Sequence, residues 1–126
     1  MNIYHITSRS AWNEAARSGR YSADSLASEG FIHCSTAAQV LPVARQFYRG
    51  HTGLVLLVID TSRLDSPVQW ERSVPPLGVA ELAAFPHVYG PIALDAVAAC
   101  LEFELNEAGE FALPPLPAED PPGSPR

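Results

Sequence analysis

The sequence predicts a single α+β domain in which two or three helices pack on a sheet. Segments rich in β-branched and aromatic residues alternate with segments of helical periodicity, and glycines follow the helical segments. A chain of 126 residues is long enough for one hydrophobic core and short for two domains. We expect one domain over residues 1–113, followed by a proline-rich tail over residues 114–126 whose composition predicts disorder.

The first elements have clear start and stop signals. Residues 3–6 predict a strand that leads into Ser8, a residue suited to cap a helix over residues 9–18. Gly19 then supplies the left-handed residue that commonly ends a helix. A loop or short helical turn is expected over residues 25–29.

A second strand and a second long helix follow. Residues 31–35 predict the strand. Thr36 and Gln39 have the spacing of a capping box for a helix that ends near Arg49. Pro42 lies inside this helix, and because proline removes a backbone donor we expect a kink or two short helices.

The centre of the sheet is predicted at residues 54–59. This apolar run is unbroken, too short for most helices and flanked by turn residues, so it predicts a strand that is buried on both faces. Residues 68–71 can form a further strand.

The remaining segments are less regular. Residues 72–84 predict a long loop, and the prolines in residues 85–91 place that segment at a sheet edge or in a structured loop. Alternating apolar residues favour a strand within residues 96–105. A turn at 106–109 and a returning strand at 110–113 complete the predicted domain.

Composition excludes several functions. A formal net charge of −6 is unsuited to an extended nucleic-acid surface, although a few local donors can hold a small anion. All eight basic residues are arginines, which excludes lysine Schiff-base chemistry and a P-loop. The sequence has neither an export signal nor a long apolar run, and Cys34 and Cys100 lack metal or disulfide spacing, so we expect a cytoplasmic protein with reduced thiols and no membrane partner.

Three strand-like segments carry the candidate chemistry. Each has an imidazole followed two residues later by a hydroxyl group: His5 with Thr7, His33 with Ser35, and His87 with Tyr89. Because side chains alternate across a strand, each pair lies on one face. A strand histidine is often only a half-buried residue bonded to a backbone carbonyl, but the repetition favours a polar cleft. We predict the three histidines as candidate catalytic residues, and no metal is expected because metal-ligand spacing is absent.

Residues 4–7, 25–36 and 85–91, in this order, resemble a bacterial family known as domain of unknown function 952, and the resemblance spans nearly residues 3–105. The family in turn resembles a compact form of the ADP-ribosyltransferase fold. That relationship implies a split, strongly bent mixed sheet that holds NAD in a central cleft.

The resemblance also implies roles for the histidine segments. His5 would contact the ribose on the nicotinamide side, and His5 and Thr7 would together orient the ribose and the carboxamide. His33 matches a second histidine of the branch that contains RNA 2′-phosphotransferases, and His33, Ser35 and Tyr89 would line the nicotinamide pocket.

The catalytic glutamate of the toxin-like branch has no assigned counterpart. Glu71 and His87 are the candidates, although a surface carboxylate is the simpler interpretation of Glu71. Three functions therefore stay open: NAD-dependent ADP-ribosyl or related phosphoryl transfer, a non-catalytic nucleotide or metabolite sensor, and a phosphoesterase with His5 and His33 as general acid and base.

Overall fold

A computed structural model describes residues 1–72 and 84–118. The predicted loop at 72–84 and the end of the predicted tail therefore lie almost wholly outside the described residues. The elements in chain order are β1 Asn2–Ser8, α1 Arg9–Ser18, β2 Arg20–Tyr21, α2 Asp24–Glu29, β3 Ile32–His33, α3 Ala37–Phe47, β4 Leu54–Asp60, β5 Val68–Glu71, β6 Phe85–Val88, β7 Ile92–Ala93 and β8 Val97–Glu102. The predicted α+β class is confirmed.

The first sheet has the order β1-β4-β8, and both of its strand pairings are antiparallel. All seven residues of β4 are buried, which confirms the prediction of a central strand covered on both faces. One face packs against α1, and its core includes Ile3, Ala15, Val55, Leu57 and Ile59. The other face packs against α3, and its core includes Ile6, Val40, Ala44, Leu56 and Phe103.

The second sheet has the order β3-β6-β5, again with antiparallel pairings. The predicted strand at 31–35 is regular only over Ile32–His33, because Cys34 still bonds to β6 but Ser35 pairs with Tyr4 of β1. The Tyr4 N–H donates to the Ser35 carbonyl at 2.8 Å, and the Ser35 N–H donates to the Tyr4 carbonyl at 2.7 Å. This pair of hydrogen bonds joins the two sheets.

The position of β6 corrects a sequence prediction. Residues 85–88 form the middle strand of the second sheet rather than an edge or a loop. The Pro86 carbonyl accepts the Cys34 N–H at 3.0 Å, and in an antiparallel ladder the N and O of one residue point to the same neighbour. The missing N–H of Pro86 therefore faces the end of β3 and leaves the pairing with β5 intact.

Both long helices begin as predicted. The Ser8 hydroxyl accepts the Ala11 N–H at 3.0 Å, and Gly19 ends α1 in the left-handed conformation with φ of 94°. Helix α3 runs through Pro42 as one helix, so two short helices do not form. Burial of Val40 and Ala44 on either side of the proline compensates for the lost backbone hydrogen bond.

The end of the domain follows the predicted turn. The Gly109 N–H donates to the Asn106 carbonyl at 2.9 Å, and Leu105 pairs with Phe111. Residues 112–118 lack regular secondary structure, but Leu116 still packs against the α3 side of the core. Among the helices that the structure describes, none combines the length and apolar character needed to span a bilayer.

Replacing Gln39 by alanine should destabilise the fold. The Gln39 side chain is buried, its Oε1 accepts the Thr36 N–H at 2.9 Å, and its Nε2 donates to the Ala84 carbonyl at 2.7 Å. Loss of both bonds should lower the free energy of unfolding by about 2 kcal/mol, as measured by urea denaturation. Gln46→Ala, at an exposed position of the same helix, is the control, and equal stability of the two variants would contradict this role of Gln39.

Candidate functional site

One face of the second sheet lines a cavity of about 650 Å³, which we call the histidine cavity. Its described lining consists of Ile6, Glu29, Phe31, His33, Cys34, Ser35, Val43, Phe47, Tyr48, Glu71, Arg72, Phe85, His87 and Tyr89. The opposite face of this sheet carries Ile32 and Val88 into the core, and Cys34, which also borders the cavity, belongs to the same core cluster. Strand alternation thus separates the apolar core from the polar side chains, as expected for His33 and Ser35.

Glu71 is hydrogen-bonded to two other side chains of the cavity lining. Its Oε1 accepts a hydrogen bond from the Tyr89 hydroxyl at 2.6 Å and another from His87 Nδ1 at 2.8 Å. The Tyr89 bond, and next the His87 bond, lower the pKa of Glu71, while the same carboxylate raises the pKa of Tyr89. Glu71 is therefore an ionised acceptor that fixes both neighbours.

His87 is held rigidly inside this group. Only 5% of the residue is exposed, and Phe31 stacks on its ring with centroids 4.1 Å apart and an interplanar angle of 13°. Because the Glu71 carboxylate only accepts, Nδ1 of His87 carries a proton. Within the described part of the chain, Nε2 has no hydrogen-bond partner and is the open nitrogen of this cavity-lining ring.

A second imidazole–carboxylate pair lies at the rim. His33 Nε2 lies 3.0 Å from Glu29 Oε2, and about half of each side chain is exposed. The His33 and His87 rings are edge to face with centroids 5.2 Å apart. The structure therefore brings these two predicted histidines together, each paired with a carboxylate.

His5 and Thr7 lie elsewhere. His5 Nδ1 donates to the His33 carbonyl at 2.6 Å, and its Nε2 lies 2.7 Å from the Tyr21 hydroxyl, which is also 2.9 Å from Thr7 Oγ1. Neither residue is among the described residues that line the cavity. Burial lowers the pKa of His5 to about 4, so the ring is neutral at neutral pH. Both nitrogens of His5 are thus occupied by bonds that hold strands together.

Cys34 is buried in the core as expected, and burial raises the pKa of its thiol. A thiol that ionises with difficulty is a poor nucleophile. Across residues 1–72 and 84–118, no group of three or more His, Cys, Asp or Glu side chains is arranged to hold a metal ion.

Sequence reasoning undervalued Glu71 and missed Glu29 and Phe31. Glu71 is the partner of His87 rather than an isolated surface carboxylate, because the strand pairing places Gln69 opposite His87 and Glu71 diagonal to it. This pairing joins β5 to a strand that follows the long loop, and no local pattern reveals it. The i,i+4 spacing of Glu29 and His33 was the available signal for the second pair.

The fold and the cavity define a small α+β domain with a histidine-lined pocket. The family described as "Protein of unknown function (DUF952)" matches residues 6–100, and the chain belongs to this family. The family resemblance is therefore confirmed, whereas the implied ADP-ribosyltransferase fold stays a prediction.

Solved structures of one relative are similar to this chain. The crystal structure of protein CC0527 from Caulobacter crescentus has 32% sequence identity and a TM-score of 0.76, and the match covers 90% of this chain and 95% of that chain. The solution NMR structure of CC0527 has 32% identity and a TM-score of 0.71, with 86% and 90% of the two chains covered. No curated protein matches the sequence.

The stability of the protein should depend on pH through His5. Its folded pKa of about 4 lies below the ordinary value of 6.5, so the unfolded chain takes up the proton first as the pH falls. The contribution of the neutral His5 ring to the free energy of unfolding is fully present above pH 6.5. It is lost as the pH falls from 6.5 to 4, which lowers the free energy of unfolding by about 3 kcal/mol in total.

The measurement is the free energy of unfolding between pH 6.5 and 5 for the wild type, His5→Asn and His51→Asn. His5→Asn should be less stable at neutral pH but should show a flatter pH dependence. His51 is exposed, so its variant should retain the wild-type slope. An unchanged slope in His5→Asn would contradict the assignment.

Proposed function

We propose that the chain binds NAD or a related nucleotide in the histidine cavity and transfers its ADP-ribosyl group. The observation that carries this proposal is the ionised Glu71, held by His87 and Tyr89 at the wall of a cavity with an aromatic lining. The cavity volume of about 650 Å³ is within the range of small-molecule sites.

The lining suits a planar ring. Phe31 lies with its centroid 5.3 Å from that of Tyr89 and stacks on His87, while Phe85 adds a further aromatic wall. A ligand ring that stacks on these side chains or meets their edges would gain stabilisation beyond the burial of its area. The nicotinamide end of the nucleotide is the part that such a surface accommodates.

Glu71 supplies the electrostatic complement. Cleavage of the bond between nicotinamide and ribose develops positive charge on the sugar, and a fixed carboxylate stabilises that charge. Two hydrogen bonds orient Glu71, so little reorganisation is needed when the charge develops. In the transfer step the acceptor forms a bond to the anomeric carbon, nicotinamide leaves with the electron pair of the broken bond, and the acceptor proton passes to a base.

The other site residues have distinct parts in this proposal. His33, paired with Glu29 at the exposed rim, is the base nearest to an incoming acceptor. Arg72 is the basic side chain among the described lining residues and is available to a phosphate. His5, predicted as a ligand contact, acts instead as a positioning residue, because its Nδ1 holds the His33 carbonyl.

Phosphoester hydrolysis is a second candidate that one observation favours. The His33 and His87 rings are 5.2 Å apart and present two imidazoles to one cavity, as a general acid and base require. The sequence predicted His5 and His33 as the acid and base of a phosphoesterase. Because both nitrogens of His5 are already bonded, His87 would take the place of His5.

Thermal unfolding with NAD, together with nicotinamide release, tests the proposal. NAD at about one hundred times its dissociation constant should stabilise the wild type by roughly 2.7 kcal/mol, which raises the melting temperature by several degrees. Glu71→Gln retains an acceptor for Tyr89 but loses the charge, so it should keep the thermal shift while nicotinamide release falls about 100-fold.

Glu107→Gln, an exposed turn position, is the matched control and should release nicotinamide at the wild-type rate. A thermal shift without release by the wild type, with every acceptor tried, would contradict transfer and support the non-catalytic sensor. The absence of both the thermal shift and nicotinamide release would reject the NAD proposal. Hydrolysis of a 2′,3′-cyclic nucleotide that is lost in both His33→Ala and His87→Ala would support the second candidate.

A further inference from the structure

Two polar atoms of buried residues are open to the histidine cavity. Ser35 is 6% exposed and His87 is 5% exposed, and both line the cavity. Ser35 uses its backbone N–H and carbonyl in bonds to Tyr4, whereas its hydroxyl has no hydrogen-bond partner among the described residues. Neither Ser35 Oγ nor His87 Nε2 is among the fully buried unpaired atoms of those residues, so both reach the space of the cavity and can take a partner from a ligand.

The two atoms are placed to bind one group together. His33 lies opposite His87, and the Cys34 N–H continues the ladder to the Pro86 carbonyl, so Ser35 is diagonal to His87 on the same face. Diagonal neighbours in an antiparallel sheet are separated by roughly 7 Å. Side chains at that separation suit a bridging group better than a direct hydrogen bond.

Their chemistry is complementary. Because Nδ1 of His87 donates to Glu71, the neutral form of the ring has its lone pair at Nε2 and accepts a hydrogen bond there. The Ser35 hydroxyl can donate to an oxygen. A group that bridges them therefore offers one N–H donor and one carbonyl oxygen, which is the pattern of a primary carboxamide or of a lactam edge.

A ligand with a carboxylate in place of the carboxamide has the same shape but lacks the N–H donor. It would also meet the negative charges of Glu71 and Glu29, which line the same cavity and outnumber the one arginine of its described lining, Arg72. Sites built to hydrogen-bond an N–H or O–H group reject analogues that lack it, because their own polar atoms are then left unpaired.

We infer that Ser35 Oγ and His87 Nε2 form a recognition pair for the amide edge of a planar ligand, so that the histidine cavity selects carboxamides over the corresponding carboxylic acids. This inference rests on the proposed function in placing the ring of the ligand in this cavity. It adds the substrate class: amidated pyridine nucleotides are bound and their acid forms are excluded.

The test uses small probes, so that it does not depend on turnover. Binding of nicotinamide, benzamide, nicotinate and benzoate to the full chain is measured by NMR titration at pH 8. Each amide should bind at least tenfold more tightly than its acid. Ser35→Ala and His87→Phe should each reduce amide affinity about tenfold and remove most of the preference. Both variants keep the cavity shape, while Ser35→Ala removes the hydroxyl and His87→Phe removes both ring nitrogens, Nε2 and the Nδ1 that donates to Glu71.

Ser22→Ala and His51→Phe, at exposed positions outside the described cavity lining, are the matched controls and should bind as the wild type does. Acids that bind as tightly as amides, amides that fail to bind the wild type, or unchanged amide affinity in the folded Ser35→Ala and His87→Phe variants would each overturn the inference. The NAD experiment is judged separately: amide selectivity without an NAD thermal shift would retain the recognition pair and reject the proposed function.

Discussion

The arrangement of the candidate site depends on the junction between the two sheets. Tyr4 and Ser35 exchange two backbone hydrogen bonds, and the neighbouring His5 imidazole donates to the His33 carbonyl at 2.6 Å. These bonds fix the segment that follows β3 against β1, although β3 itself pairs with β6. Together with the packing of Ile32 and Val88 in the core, the junction sets the position of the face that carries His33 and Ser35 relative to β1.

The junction also divides the histidines by role. His5 is neutral, buried and bonded at both nitrogens, so it stabilises the fold. His87 is equally buried, but a carboxylate holds one nitrogen and the other stays open. His33 sits at the exposed rim with Glu29. Burial alone does not separate a structural histidine from a candidate functional one; the occupancy of its second nitrogen does.

Local sequence patterns were sufficient to predict the helices and strands whose start, end or burial is marked by nearby residues. The cap at Ser8, the glycine that ends α1 and the apolar run of β4 identified those elements because each signal lies within a few residues of the element. The role of Pro86 and the partnership of Glu71 with His87 were not predictable, because both follow from pairing with strands that are distant in sequence. The same long-range pairing decided that His33 and His87 meet while His5 faces Tyr21.

We expect ligands to bind on the β3-β6-β5 face and not around His5. NMR titration with NAD, following the side-chain signals of all four histidines, tests it most directly. The signals of His33 and His87 should shift together and saturate as NAD is added, while those of His5 and His51 should stay unchanged. Shifts centred on His5 and Tyr21, with His33 and His87 unchanged, would contradict it.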